Sequence, residues 1–421
     1  MGMPHDAAGH RRLVIAGMAG NVMEWYDFAV YGYFVSVIAR HFFPAEDRTT
    51  SLIAAFGAFA AGFLMRPVGG LVFGHIGDRL GRKAALTLSV LAMAIPTFLI
   101  GLLPDHSVIG PAAAVLLVLC RMVQGLSVGG EFTTSIVYLV ESAPPDRRGL
   151  AGSWSGFGAT AGVLLGSAVG ALTTSLLSDH ALHTWGWRVP FLAGLLVGLG
   201  GLLVRRGLPE TGPATREAGK VPIVEAFVTH WRAMLQVIGL TLLMGVAFYL
   251  IFVYLVTYWT DVVHLRAAAA LQINTASMVA LLAMTPVAAY LSDRLGRKAL
   301  LLAGAAGLLA AAYPLFWLLH HADGRLDFAG ELGFAVLAAL FFAVVPVTMV
   351  EAFPAKVRCS AIAVGYNISL GVLGGTTPMV ATLLIERTHD DLSPAFYLMA
   401  AAAVSLVAVL TLRETSRLAL R

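Results

Sequence analysis

"GDRLGRKA", residues 77–84, returns as "SDRLGRKA" at residues 292–299, 215 positions further on. A second pair follows the same rule: "ESAPPDRRGLA" from Glu141 is echoed by "EAFPAKVRCSA" from Glu351, displaced by 210. Two unrelated motifs repeating at half the length of a 421-residue chain describe two related halves. Between the repeats the sequence is apolar, with 58% hydrophobic residues, 12% charged and a mean hydropathy of +0.81. A soluble domain of this size does not have that composition.

A helix needs about 20 apolar residues to cross a hydrocarbon core of roughly 30 Å. Stretches of that order run at 13–39, 51–74, 84–103, 111–140, 150–177, 186–204, 232–260, 268–291, 299–319, 331–350, 359–385 and 394–412. The expected fold is an all-α membrane protein of twelve transmembrane helices in two six-helix pseudo-repeat halves, residues 1–204 and 232–421. The polar stretch 205–231, "RRGLPETGPATREAGKVPIVEAFVTHW", reads as a cytoplasmic linker. Both repeated motifs fall after the second and fourth spans of their half, and 20 of the 28 Lys and Arg residues fall on that same side. The positive-inside rule then makes both termini cytoplasmic. Leu13–Ala39 is too long for the apolar core of a signal peptide and ends without a small-residue cleavage site, so it is expected to remain as the first span.

Several function classes drop out. The basic clusters sit at span ends, where they set topology, so no nucleic acid partner is expected. The two cysteines, Cys120 and Cys359, suit neither a disulfide framework nor a metal site. "GLSVG" (125–129) matches a nucleophile elbow but lies inside a span, without the strand-turn-helix context that motif needs. There is no phosphate-binding G-x-x-x-x-G-K-[ST] pattern. No enzyme, cofactor or metal is expected. Repeated halves of membrane helices imply a transporter with its site between them at the bilayer midplane.

The full-length pattern resembles the major facilitator superfamily: "GHIGDRLGRK" (74–83) and "SDRLGRK" (292–298) match its loop signature, and "RMVQGLSVGG" (121–130) its fourth-helix signature. More narrowly, "EWYDFAVYG" from Glu24, "FFP" (42–44), "GFLMRPVGG" (62–70), "QGLSVGGE" (124–131), "WGWRVPF" (185–191) and "FYLIFVYLVTY" (248–258) resemble, in order, the markers of the metabolite:proton symporter family. That resemblance implies proton-coupled uptake, in a bacterial inner membrane, of di- and tricarboxylates, aromatic acids, or zwitterions such as betaine and proline. The partners expected are a small-molecule substrate, protons and the lipid bilayer, for a carrier acting as a monomer. Osmolyte carriers of that family can have a long C-terminal coiled coil, which this sequence lacks after its last span, so the first expectation is an organic acid and the second a zwitterion. A membrane sensor that binds a metabolite without moving it is the alternative of another class.

The residues support this on their own. A charge at a helix centre costs about 2.5–3.5 kcal/mol on insertion scales. Glu24, Asp27, Arg66 and Arg121 would therefore cost on the order of 10 kcal/mol together unless paired. Glu24, Asp27 and Tyr31 share one face of the first span, and Gln124 lies one turn from Arg121 in the fourth, with Glu131 two turns further along. Asp27, Glu24, Arg121 and Glu131 are expected to handle the proton, since an acid alternately exposed and paired with an arginine gains and loses its proton. Arg66, Arg121, Gln124, Tyr31, Tyr249, Tyr254 and Asn367 are expected to contact substrate. In the repeated loops Asp78, Arg79, Arg82 and Lys83, and Asp293, Arg294, Arg297 and Lys298, are expected to gate, with Glu141 and Glu351 as partners. Beyond aromatic and amide groups, the second half is expected to carry almost no charge deep in its spans. The glycines at 158, 162, 166 and 170 of span five form a packing ladder.

Overall fold

The computed structural model describes residues 7–45, 48–205, 228–321 and 323–420, so most of the expected linker 205–231 lies outside the described residues. Among the described residues all regular structure is helical. The long helices are α1 (Ala7–Phe42), α2 (Arg48–Arg79), α3 (Arg82–Leu102), α4 (Ala112–Glu141), α5 (Arg148–Leu176) and α6 (Arg188–Arg205). They continue with α7 (Trp231–Tyr249), α8 (Ala267–Leu295), α9 (Arg297–Leu319), α10 (Gly324–Phe342), α11 (Arg358–Asn367) and α12 (Ser393–Thr411). Among the described residues, 11 helices, from Gly57–Arg79 to Ser393–Thr411, are long and apolar enough to cross a membrane. The remaining expected span, 13–39, falls within α1, whose 36 residues extend about 54 Å at 1.5 Å per residue.

One boundary differs in a way that matters. The tenth span begins at Gly324, not at residue 331, because the Asp323 carboxylate accepts the Arg325 N–H at 2.9 Å and caps the helix. The charged run 320–330 reads as a loop by composition. It is instead the first turns of a helix, and it carries Asp327 and Glu331 into the buried interior. The second half therefore does hold charge-bearing groups inside its spans.

The chain divides into two compact units, residues 1–139 with 158–218, and 140–157 with 219–421. The second unit takes in the α4–α5 elbow, which sequence order alone would leave in the first half. Within the first unit α3 and α1 pack on α6, and α1 also contacts α2 and α3. Within the second, α9 lies against α10 and α12, α8 against α10, and α7 against α12. α7 runs on through π-helical turns at Leu250–Tyr254 and Tyr258–Val262, and α11 through one at Ile368–Gly374.

Two uses of glycine shape these units. In both copies of the repeated loop the glycine, Gly81 and Gly296, has φ of +101°, a conformation that side-chain-bearing residues rarely adopt and that lets one helix end and the next begin within two residues. The other use is close helix approach. A Cβ on Gly125 would collide with the Gly62 carbonyl, and one on Gly129 with the Arg66 carbonyl and the backbone around Gly70, so α4 and α2 touch backbone to backbone. The ladder in α5 does the same against α1: a Cβ on Gly158 would meet the Met18 carbonyl and one on Gly162 the Val22 carbonyl.

Candidate functional site

α1 and α4 run antiparallel, and their polar residues meet in reverse order. Asn21 donates to the Ser135 hydroxyl at 2.8 Å; one turn on, Glu24 has Arg66 and Glu131 as its electrostatic neighbours; one turn further, Asp27 reaches Arg121 and Gln124. This antiparallel arrangement brings the intramembrane charges together inside the first unit.

Asp27 is fully buried and fully engaged. Its Oδ2 accepts from Arg121 Nη1 at 2.7 Å, and its Oδ1 accepts from Thr97 Oγ1 and from Gln124 Nε2, each at 2.9 Å. Arg121 Nη1 also donates to Gln124 Oε1 at 2.8 Å, and Gln124 Nε2 to Thr97 Oγ1 at 2.8 Å, closing the ring of four. The Arg121 guanidinium sits over three aromatic faces, Phe28 at 5.0 Å, Tyr31 at 4.5 Å and Phe59 at 5.2 Å. A desolvated cation gains about 2 kcal/mol from such a face. Removing one partner of a buried pair costs about 3–5 kcal/mol, because the other charge is left uncompensated.

Glu24 and Arg66 differ from that pair. Both are 1% exposed, and neither carboxylate oxygen of Glu24 nor Nε or Nη2 of Arg66 has a hydrogen-bond partner. The Arg66 guanidinium lies 5.5 Å from the Phe63 ring. Glu131 accepts a short hydrogen bond from Ser89. Tyr31, expected as a substrate contact, donates its hydroxyl to the Ala55 carbonyl at 2.9 Å and floors Arg121 with its ring.

Sequence reasoning passed over Thr97 and Ser89. Their spacing was the available signal: eight residues apart on α3, both on one face, they line up with Gln124, Ser127 and Glu131 on α4, and Ser127 donates to the Ser89 carbonyl at 2.6 Å. In the second unit Tyr249 and Tyr254 are buried on α7 and its π-helical extension, and the Tyr249 ring lies against Gly374 in the π-turn that continues α11. Asn367, fully buried, donates to the Ala363 carbonyl at 2.7 Å.

The loop residues form two sets. In the first unit Arg82 pairs with Asp78 at 2.6 Å, both side chains fully buried, while Arg79 is exposed. In the second, Arg297 pairs with Asp293 at 2.6 Å and with Glu351 at 3.2 Å. Asp293 also accepts the N–H groups of Gly149 and Leu150 at 2.8 and 2.9 Å, so an anion sits on the positive end of α5. Arg358 binds Glu141 at 2.7 Å, and Thr415 donates to Glu351 at 2.6 Å. Arg294 is exposed, 4.6 Å over the Tyr290 ring, and Lys298 donates to the carbonyls of Leu410 and Leu412 at the end of α12.

Glu414, just past α12, joins this second set. It accepts the backbone N–H groups of Arg297 and Lys298, each at 3.0 Å, and of Ser416 at 2.9 Å. Partial burial pushes its carboxyl up, but the N–H groups of Ser416, Arg297 and Lys298 outweigh that and hold it at about 2. A carboxyl lowered by folding stabilises the folded state above its unfolded value of about 4.3. That contribution is lost as the pH falls through about 2. Glu414→Gln is expected to melt below wild type at neutral pH, with the gap closing as the pH is lowered through this window. A gap independent of pH would mean that the contact contributes by shape alone.

The sequence profile of the Major Facilitator Superfamily matches residues 17–321. The proline/betaine transporter of Salmonella typhimurium is 38% identical, over 96% of this chain and 84% of that protein. The glycine betaine/proline/ectoine/pipecolic acid transporter OusA of Dickeya dadantii matches at the same identity and coverage, 38%, 96% and 84%. Among solved structures, the proton:xylose symporter XylE bound to 6-bromo-6-deoxy-D-glucose superposes with a TM-score of 0.82 at 20% identity, covering 98% of this chain and 97% of that one.

Proposed function

The chain belongs to the Major Facilitator Superfamily and is a multi-pass membrane transporter, and from that membership we propose that it is a proton-coupled symporter that imports a small carboxylate-bearing solute by alternating access. The observation that carries this reading is the ring formed by Asp27, Arg121, Gln124 and Thr97. It places one fully buried acid against a fixed cation and two neutral donors, all bonded to its carboxylate oxygens. A substrate carboxylate that draws Arg121 away would leave Asp27 without its counter-charge, which favours the protonated acid. Proton and substrate would then load together.

Within that class a zwitterion such as betaine or proline is the reading we favour, because the relatives at 38% identity are named for those solutes. Free organic acids are the second reading. They are favoured by Arg66, whose buried guanidinium has unpaired nitrogens and offers a second counter-charge.

We assign twelve spans to the carrier, with cytoplasmic termini in a bacterial plasma membrane, and no enzymatic activity. The contacts of Asp293 with Gly149 and Leu150, of Arg297 with Glu351 and of Arg358 with Glu141 form a latch that is released in each cycle.

The test is an internal pH dye in proteoliposomes while betaine, proline, citrate, 2-oxoglutarate and an aromatic acid are added in turn. Acidification with betaine or proline supports the zwitterion, and acidification with the acids alone supports the second reading. Tracer exchange without acidification by any of them overturns proton coupling.

A further inference from the structure

Glu331 has no place in the reading above, and it is an unusual residue for the interior of a membrane helix. It lies seven residues into α10, about 10 Å from the helix start at 1.5 Å per residue, and is fully buried, with neither carboxylate oxygen hydrogen-bonded. The Ser277 hydroxyl of α8, also fully buried and unpartnered, faces it. One turn nearer the helix start, Asp327 is likewise buried with both oxygens unpartnered, and the Trp259 indole N–H faces it. One turn earlier again stands Asp323, exposed, at the cap. Acids at 323, 327 and 331 therefore mark one face of α10, turn by turn, from its solvent-exposed end inward.

Among the described residues no cation pairs with Glu331, and Arg325 on α10 and Arg266 at the start of α8 are exposed. On the helices packed against α10, Arg297 is bound to Asp293 and Glu351, Lys298 to carbonyls of α12, Arg294 lies on Tyr290 and Arg232 on Trp231. Asp323, His321 and Tyr258 act on Asp327, and Ser277 is the polar group that acts on Glu331. Burying an ionised carboxylate with no partner is far costlier than binding a proton. The unpartnered Ser277 oxygen is an acceptor for that proton's O–H. The site suits a proton better than a metal ion, since no group of three or more His, Cys, Asp or Glu side chains among the described residues could hold one.

We propose that Glu331 is a proton-binding site of the second unit, reached from Asp323 through Asp327 and separate from Asp27, and that it loads one proton from outside and releases it inside in each transport cycle. The coupling count rests on the proton symport proposed above; the protonation state of Glu331 does not.

The test has two readouts on the full chain in liposomes. The first is infrared difference spectroscopy of the protonated carboxyl stretch as the external pH is changed. Wild type is expected to show a band that is lost in Glu331→Gln and shifted, not lost, in Ser277→Ala. The second is the reversal potential of substrate flux, which is expected to give one proton fewer per substrate in Glu331→Gln. A wild-type spectrum unaltered by either substitution overturns the site, whatever the outcome for symport. A band that behaves as expected with an unchanged proton count overturns the coupling role. If wild type moves no protons with substrate, symport fails, and the infrared result alone decides for or against Glu331.

Discussion

Asp27→Asn is expected to cut proton-driven accumulation sharply while leaving substrate exchange measurable. Each charge moved with substrate is worth about 2.3 kcal/mol per 100 mV, roughly a fiftyfold concentration ratio. The variant, with one coupled proton fewer, should therefore show an accumulation ratio lower by about that factor per 100 mV, while any proton carried at Glu331 still contributes. Asparagine keeps the shape and still accepts from Thr97 and Gln124, but it leaves Arg121 without its carboxylate. Gln124 Oε1 and the rings of Phe28, Tyr31 and Phe59 remain for the guanidinium, which limits the loss of stability. The double variant Asp27→Asn with Arg121→Gln removes both charges and serves as the folding control. Counterflow and accumulation in the same vesicles check the prediction. Wild-type accumulation in Asp27→Asn would remove this acid from the coupling.

The second large effect is expected from Gly129→Ala. Its added methyl would meet the Arg66 carbonyl and the Gly69–Gly70 backbone, none of which can rotate aside. α2 and α4 would have to separate, and with them Phe59 and Arg121, which lie on those two helices. Overpacking typically costs about 1–3 kcal/mol and more where only backbone yields. The expected result is a sharply lower melting temperature and weak transport. Gly57→Ala, on the same α2, meets nothing within 4 Å and should behave as wild type. Equal melting of the two variants would mean that the helices are less closely engaged than described.

The ring around Asp27 was largely legible beforehand. Charges inside apolar runs are costly, so Asp27 and Arg121 had to find each other, and antiparallel spans bring them to the same depth. Thr97 was hidden because a threonine in an apolar helix has no cost that demands a partner. Glu24 and Asp27 looked equivalent from their shared helix face, yet Asp27 bonds Thr97, Arg121 and Gln124 while Glu24 has Arg66 and Glu131 as electrostatic neighbours and no hydrogen bond. That distinction depends on three neighbouring helices at once. Asp327 was placed outside the span, and Glu331 only at its edge, for a different reason: three charges within residues 320–330 read as loop, and only the Asp323 cap shows that the helix has already begun. Glu414 gave no signal in the sequence, because two of its partners are backbone N–H groups 117 and 116 residues away.

The core of the first unit also has an electrical consequence. Glu24, Asp27 and Glu131 are three buried carboxyls against the two buried guanidiniums of Arg66 and Arg121. With one proton aboard this core is neutral, and without it the core is an anion. If the solute is an uncharged zwitterion, the loaded carrier feels no membrane voltage at these residues, and the field acts on the empty carrier during its return. Transient currents should then appear in substrate-free membranes stepped between voltages and fade as saturating substrate and acid hold the carrier loaded. The opposite pattern would place the charge movement in the loaded step.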